Sequence, residues 1–119
     1  MSDIIPGNIK LHRQSRTLEL DYGDKSVTLT AEFLRVHSPS AEVRQHGRPI
    51  LQTGKISVAI NGIETVGQYA LRILFSDGHD TGLYSWSYLY QLASHQDEMW
   101  QTYLQKLNQE GASREAGTS

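Results

Sequence analysis

Two carboxylates flank a histidine in the segment Asp77-Gly78-His79-Asp80, which follows an alternating apolar run and therefore stands at the end of a predicted strand. Loops at strand ends often carry functional side chains, and an imidazole beside carboxylates can hold a metal ion or a polar ligand. We take His79 and Asp80 as candidate metal ligands and Asp77 as a candidate ligand or partner contact. The alternative is a structural turn, in which Asp77 accepts backbone hydrogen bonds, Gly78 adopts a positive φ and His79 packs over the sheet.

A second group of polar side chains surrounds the segment 44–54, which the breaker cluster at 45–49 predicts to be a mobile loop. Its charges suit a carboxylate, a phosphate or a partner protein, although such residues also form solvated faces or internal ion pairs. A metal site assembled from His37, His46 and His79, with Asp80 or Glu42, is chemically feasible, but no spacing requires it. The candidate contact residues are Arg35, Glu42, Arg44 and Arg48, together with the aromatic residues Tyr84 and Tyr88 farther along the chain.

The composition excludes several kinds of chemistry. Cysteine is absent, which removes disulfides, thiolate metal sites, iron–sulfur ligation and cysteine nucleophiles. The sequence has no Gly-x-Ser-x-Gly elbow, and no serine has a base that spacing identifies, so we expect no catalytic residues. With 11 Lys plus Arg against 13 Asp plus Glu, the chain lacks the basic excess that is typical of nucleic-acid-binding proteins.

Length and hydropathy predict one domain that does not span a membrane. No apolar stretch approaches the roughly 18 residues that a membrane span requires, and residues 1–7 lack the basic and apolar regions of a signal peptide. We therefore expect a cytoplasmic protein that engages neither membrane nor nucleic acid. Its 119 residues predict a single domain over residues 1–107 and a polar, disordered tail over residues 108–119.

Hydrophobic periodicity predicts the elements that would position these residues. Alternating apolar residues between positions 8 and 30 predict a three-stranded meander with turns at 14–16 and 22–25. Thr30 can cap a short helix over residues 31–37, which ends before a proline. Residues 56–60 and 69–75 alternate again, and the Asn61-Gly62 pair between them is typical of a tight turn with positive φ.

The last third of the chain predicts two helices. Apolar residues at spacings of three and four over residues 86–93 indicate one helix with Ser85 as its cap. Residues 94–97, Ser-His-Gln-Asp, match a capping box, so we expect a second helix whose apolar stripe runs over residues 99–107. Together these elements predict an α+β domain with an antiparallel sheet of about five or six strands and C-terminal helices packed on one face.

Three segments, taken in their order and separation, resemble a known family: residues 34–43, 66–73 and 75–86. They are similar to the bacterial stand-alone domain related to the N-terminal domain of gamma-butyrobetaine hydroxylase, from about residue 6 to about residue 107. In the eukaryotic oxygenases a large catalytic domain follows this one, and this sequence does not contain it. The pair His79-Asp80 also lacks the His-x-Asp spacing of an Fe(II) facial triad, so the resemblance implies no hydroxylation by this chain.

The resemblance further implies a zinc site that this sequence has lost. In the hydroxylases three cysteines of a Cys-Pro-Cys-x-x-Cys stretch and a later histidine hold a structural zinc, and the matching positions here are Ser38, Ser40, Val43 and His79. Neutral hydroxyls and a valine cannot replace anionic thiolates. We therefore expect no bound cofactor.

Domains of this type also occur fused to Mrp-like P-loop ATPases that carry iron–sulfur clusters. The resemblance therefore implies a link to iron–sulfur assembly or to metal-dependent oxygenase systems. Our leading hypothesis is a non-enzymatic accessory or adaptor domain that acts by contacting a partner protein. The alternative is a protein that binds a metal or a small ligand through His79 and its neighbouring carboxylates.

Overall fold

The computed structural model describes residues 5–40 and 51–115, which form two antiparallel three-stranded sheets and three helices. The strands are β1 (Asn8–His12), β2 (Thr17–Asp21), β3 (Ser26–Thr30), β4 (Ile60–Val66), β5 (Ala70–Phe75) and β6 (Leu83–Ser85). The helices are α1 (Ala31–Val36), α2 (Trp86–Ser94) and α3 (Gln96–Gln109). The α+β class is confirmed, but the prediction of one sheet of five or six strands was wrong, because α1 begins directly after β3 and takes the chain out of the first sheet.

The first sheet, in the order β1-β2-β3, confirms the predicted meander. Its register places Leu18 opposite both Leu11 and Leu29, so the alternating apolar residues of all three strands share one face. Leu18 and Leu29 are completely buried on that face. The period-two pattern was sufficient to predict this sheet because each strand pairs with its neighbour in sequence.

Helix α1 connects the two sheets and carries charged side chains into the interior. The Thr30 hydroxyl accepts a hydrogen bond from the N–H of Phe33 at 3.0 Å, which confirms Thr30 as the cap. All six residues of α1 are buried, including Glu32 and Arg35. Buried charges need partners, and both residues obtain them from distant parts of the chain, as described below.

The second sheet, in the order β4-β5-β6, corrects the predicted turn at Asn61-Gly62. Both residues lie inside β4, where the pairing with β5 shifts between Ile60 and Gly62. Gly67, with a φ of 54°, lies in the β4–β5 turn instead. The extra residue of β4 is absorbed as an irregularity in the strand, a position where glycine is well tolerated.

The two long helices follow the predicted apolar spacing, although only one predicted cap is confirmed. The Ser85 hydroxyl accepts from the N–H of Tyr88 at 3.2 Å and caps α2. The capping box at residues 94–97 was wrong, because α2 continues through Ser94 and the residue before α3 is His95, which makes no side-chain cap. His95 Nδ1 instead pairs with Glu98 Oε1 at 3.1 Å.

One apolar core joins the two sheets. Leu20 of β2, Phe33 of α1, Ile73 of β5 and Leu89 of α2 belong to the same buried cluster. A smaller cluster of Val36, Tyr103 and Leu107 packs α3 against the end of α1.

The predicted domain end at residue 107 falls inside α3. We expected disorder from residue 108, but α3 continues to Gln109, and residues 112–114 form backbone hydrogen bonds with the rest of the domain. Residues 116–119 lie outside the described part. Within residues 5–40 and 51–115, no helix is long and apolar enough to cross a membrane.

Candidate functional site

The loop between β5 and β6 meets the segment that follows α1 in a buried polar cluster. Ser38 Oγ lies 2.8 Å from Nε2 of His79, and Ser40 Oγ lies 2.8 Å from Oγ1 of Thr81. The N–H of Ser40 also donates to Ser38 Oγ at 3.2 Å. Ser38, Ser40 and His79 are only 1%, 4% and 7% exposed. We call Ser38, Ser40, His79 and Thr81 the hydroxyl–histidine cluster. Thr81 is exposed, but the burial of Ser38, Ser40 and His79 closes these three side chains to a substrate in this conformation.

Backbone geometry fixes this cluster from both sides. The N–H of His79 donates to Asp77 Oδ1 at 3.2 Å, and Gly78 has a φ of 88°. These are the features of the structural-turn alternative for this segment. A Cβ at Gly82 would lie 2.5 Å from Ser38 Oγ, so only glycine permits this approach. Residues 77–80 therefore form a tight turn that places His79 beside Ser38.

The zinc site of the related hydroxylases does not fit these residues. Two ligands of a tetrahedral zinc ion, at about 2.3 Å and 2.0 Å from the metal, stand about 3.5 Å apart. Ser38 Oγ and His79 Nε2 are 2.8 Å apart and share a hydrogen bond directly. Neither hydroxyl carries the negative charge of a thiolate. A direct hydrogen bond thus joins two of the positions that the resemblance assigns to metal ligands.

The other predicted metal ligands are not brought together. Asp80 Oδ2, in the β5–β6 loop, lies 3.7 Å from Arg72 Nη2, and Nδ1 of His37 is hydrogen-bonded to the carbonyl of Phe33 at 2.9 Å. Among residues 5–40 and 51–115, no three His, Asp or Glu side chains are placed to hold a metal ion. Five of the residues named from the sequence lie outside the described residues, namely Glu42, Val43, Arg44, His46 and Arg48.

Arg35 and Asp77, predicted as ligand or partner contacts, pair with each other instead. Arg35 Nε donates to Asp77 Oδ2 at 2.9 Å, and Lys55 Nζ donates to the same oxygen at 2.9 Å. The Arg35 side chain is only 8% exposed, so it belongs to an internal ion pair and not to a recognition face. Burial opposes ionisation of Asp77, but the hydrogen bonds from Lys55, His79 and Arg35 outweigh it and lower the pKa to about 2.

This ion pair predicts a loss of stability in acid. Because the pKa of Asp77 is lowered, its contribution is fully present above about pH 4 and disappears as the pH falls through about 2. We expect Asp77→Asn to reduce the free energy of unfolding at pH 7 by on the order of 1 kcal/mol, since solvent screens this partly exposed group. Urea unfolding at pH 7, 4 and 2 measures the effect, with Asp80→Asn in the same loop as the matched control. An equal loss at all three pH values would contradict the assignment.

The two tyrosines predicted as partner contacts face inward through their hydroxyls. Tyr84 is completely buried and donates to the carbonyl of Leu34, so it cannot touch a partner. Its burial raises the pKa of its phenol well above the usual range. Tyr88 donates to the carbonyl of His37 at 2.6 Å, and its ring is half-buried. Both side chains tie α1 to the second sheet and α2.

Sequence reasoning missed the outer face of the second sheet. The register places Leu83 and Glu64 on either side of Arg72, and the three side chains lie on the face away from the core. Leu83 is 41% exposed. Arg72 lies 3.7 Å from Glu64 and from Asp80, which is too long for hydrogen bonds. We call Glu64, Arg72, Leu74 and Leu83 the outer sheet face; alternate positions of β5 were its only signal in the sequence.

A cavity of about 510 Å³ lies apart from the hydroxyl–histidine cluster, between the end of α1 and α3. Its walls include Val36, His37, Gln52, Met99 and Lys106. His79 does not line it, so it does not combine with the candidate metal ligands.

Comparisons with known proteins agree on one family. The family model described as "Gamma-butyrobetaine hydroxylase-like, N-terminal" matches residues 9–90. Two NMR solution structures are similar to the chain, with 53% and 49% sequence identity and TM-scores of 0.89 and 0.82. Both alignments cover 99% of this chain, and they cover 95% and 89% of the respective structures.

A third similar structure is a crystal structure of a protein of unknown function from Acidithiobacillus ferrooxidans, which belongs to the DUF971 family. It is 38% identical, with a TM-score of 0.65, over 77% of this chain and 98% of that one. No curated protein matches the chain.

Proposed function

The chain belongs to the gamma-butyrobetaine hydroxylase-like N-terminal family, and from this premise we propose that it is a non-enzymatic adaptor domain that acts by contacting a partner protein. The observation that carries the proposal is the burial of the polar side chains that could otherwise act in catalysis. Ser38 and His79, a serine–histidine pair at hydrogen-bond distance, are buried and bonded to each other. A nucleophile and base need room for a substrate beside them, which this pair lacks.

The outer sheet face supplies the contact surface of the proposal. Leu83 offers apolar area, and the Arg72 side chain is 40% exposed. Its Nε is buried, but its Nη2 lies 3.7 Å from Asp80, too long for a hydrogen bond, and can donate to an acceptor on a partner. Exposed apolar side chains beside an arginine are typical of protein interfaces. The expected partners are iron–sulfur carriers or metal-dependent oxygenase systems, as the family resemblance implies, with the cytoplasm as the expected compartment.

Crosslinking followed by affinity purification, from the cells that make the protein, tests the proposal. We expect one protein to be recovered in near-stoichiometric amount with the unaltered chain, and its recovery to fall at least about tenfold with Leu83→Asp, which buries a charge in the contact. The matched control is Ile5→Asp, because Ile5 is also an exposed apolar residue, at 53% exposure, but lies outside the outer sheet face. Recovery of no specific partner, or equal loss with both variants, would contradict the proposal.

Native mass spectrometry of the protein purified without chelator tests the alternative function. A stoichiometric metal that is lost in His79→Ala would replace the adaptor proposal by a metal-binding one. A metal-free mass, with melting unchanged by added zinc or iron, would remove that alternative.

A further inference from the structure

The C-terminal segment, residues 112–115, turns back onto the domain after α3. Gly111 has a φ of 65°, and the N–H of Ala112 donates to the carbonyl of Leu107 at 2.8 Å. A glycine with positive φ and this 6→1 hydrogen bond are the features of a Schellman motif, which ends α3. The N–H groups of Gly54 and Ile56 then donate to the carbonyls of Ser113 and Arg114 at 3.0 and 2.9 Å. The segment therefore lies along residues 54–56, held by backbone hydrogen bonds that do not depend on its sequence.

Arg114 provides the sequence-dependent contact. Its Nε and Nη2 donate to the two carboxylate oxygens of Glu32 at 2.9 and 2.8 Å. Glu32 is only 6% exposed, whereas the Arg114 side chain is 38% exposed. The guanidinium carbon also lies 5.1 Å from the ring centre of Trp100. A buried carboxylate thus forms the floor of a site, and an aromatic ring forms its wall.

This arrangement is selective for a guanidinium group. Two parallel N–H donors match the two oxygens of Glu32, and a planar cation stacks on an indole, whereas an ammonium group does neither equally well. The main buried core contains no residue of the segment 112–115, and only the small side chain of Ala112 packs, partly buried, against the smaller cluster of Val36, Tyr103 and Leu107. The site is therefore built into the domain by α1, α3 and residues 54–56, and the tail is its occupant.

We propose that this site, formed by Glu32, Trp100 and the backbone of residues 54–56, binds an extended peptide segment of a partner protein that carries an arginine, and that residues 112–115 occupy it in the free protein. A cleft of about 390 Å³ beside the tail, lined by Ile56, Leu104 and Leu107 among others, gives room for a neighbouring apolar side chain of the peptide. The inference rests on the proposed adaptor function only in that a partner protein supplies the peptide. Because the tail is tethered, it competes at an effective concentration in the millimolar range.

Titration of full-length Arg114→Ala with a capped peptide of residues 111–116, Gly-Ala-Ser-Arg-Glu-Ala, tests the site. The readout is the amide NMR signals of Gly54 and Ile56, whose N–H groups donate to the tail. We expect saturable binding that is at least about tenfold weaker for the matched Lys peptide and for the unaltered protein, whose own tail competes. Adding Glu32→Gln to the variant removes the charge of the floor and should abolish the difference between the Arg and Lys peptides.

The proposal is overturned if folded Arg114→Ala gives no saturable shifts, or if the Arg and Lys peptides bind it equally. Should Arg114→Ala not fold, Arg114→Gln keeps an amide donor for Glu32, and the same titration with the same criteria applies to it. These titrations use purified components, so their failure leaves the crosslinking result standing. Conversely, the absence of a partner in cells contradicts the adaptor function without touching the affinity of the site for the peptide.

Discussion

A variant in which Ser38, Ser40 and Val43 are all replaced by cysteine is expected to bind one zinc ion tightly, in contrast to the unaltered protein. The structure brings Ser38 to His79, and the N–H of Ser40 donates to Ser38 Oγ beside them, while Val43 lies outside the described residues. Thiolates at these positions supply the missing charge, and structural zinc sites of this type bind with apparent free energies of about 10 kcal/mol or more at neutral pH. The number of zinc ions per chain, from native mass spectrometry, measures the result.

Thermal unfolding gives a second measurement of the same variant. A ligand that binds only the folded state at a thousand times its dissociation constant stabilises that state by about 4 kcal/mol, so the melting temperature should rise with zinc and fall with chelator. The matched control combines the three cysteines with His79→Ala, which removes the fourth ligand and should weaken binding by at least about tenfold. A triple variant that folds but holds no stoichiometric zinc would mean that the hydroxyl–histidine cluster is not the counterpart of the family's metal site.

Tyr84→Ala is expected to destabilise the protein by about 3–5 kcal/mol, which is a large part of the stability of a typical domain. Tyr84 is completely buried, and its removal leaves a cavity in the core as well as an unpaired carbonyl at Leu34. Tyr84→Phe removes only the hydroxyl, and we expect about 1–3 kcal/mol from the unpaired carbonyl. Urea unfolding of the three proteins separates the ring from the hydroxyl.

Tyr69→Ala is the matched control, because it makes the same change at a side chain that is 57% exposed. Its effect should stay within about 0.5 kcal/mol. If Tyr84→Ala were as mild as Tyr69→Ala, the ring would not be the core residue that the structure describes. A folded, stable Tyr84→Ala that loses a partner would instead restore Tyr84 as a contact residue.

Local signals predicted the parts of the fold whose partners are close in sequence. The meander and the caps at Thr30 and Ser85 depend on residues no more than about a dozen positions apart, where periodicity and side-chain chemistry decide the outcome. The Asn61-Gly62 turn failed because the length of β4 is set by pairing with β5 and not by the dipeptide. The predicted single sheet is two sheets because α1 lies between β3 and β4 in the chain. Hydrophobic periodicity identifies strands but does not indicate which strands share a sheet.

The candidate site depended on contacts that spacing cannot reveal. Ser38 and His79 are 41 residues apart, and only the family resemblance predicted that they meet. Arg35 was a candidate for a recognition face, with a solvated face or an internal ion pair as the alternative, and its pairing with Asp77 over 42 residues takes it into the interior. Arg114 lies in a polar segment whose composition predicts disorder, and its partner Glu32 is 82 residues away. The composition of a segment indicates the average entropic cost of ordering it. It carries no information about a single buried carboxylate elsewhere in the chain, here Glu32, that holds the segment in place.

The separation of the strands into two sheets has a consequence for the order in which the chain folds. Within each sheet every strand pairs with its neighbour in sequence, so only short loops have to close. By contrast, two contacts between distant parts of the chain close long loops: the hydrogen bond between Ser38 and His79 and the ion pair between Glu32 and Arg114. The entropic cost of closing these loops falls on the step in which the first sheet and α1 dock onto the rest of the domain. We infer that the hairpins of each sheet form early and that docking of the two sheets limits the folding rate, because contacts between residues far apart in sequence slow folding in small proteins generally.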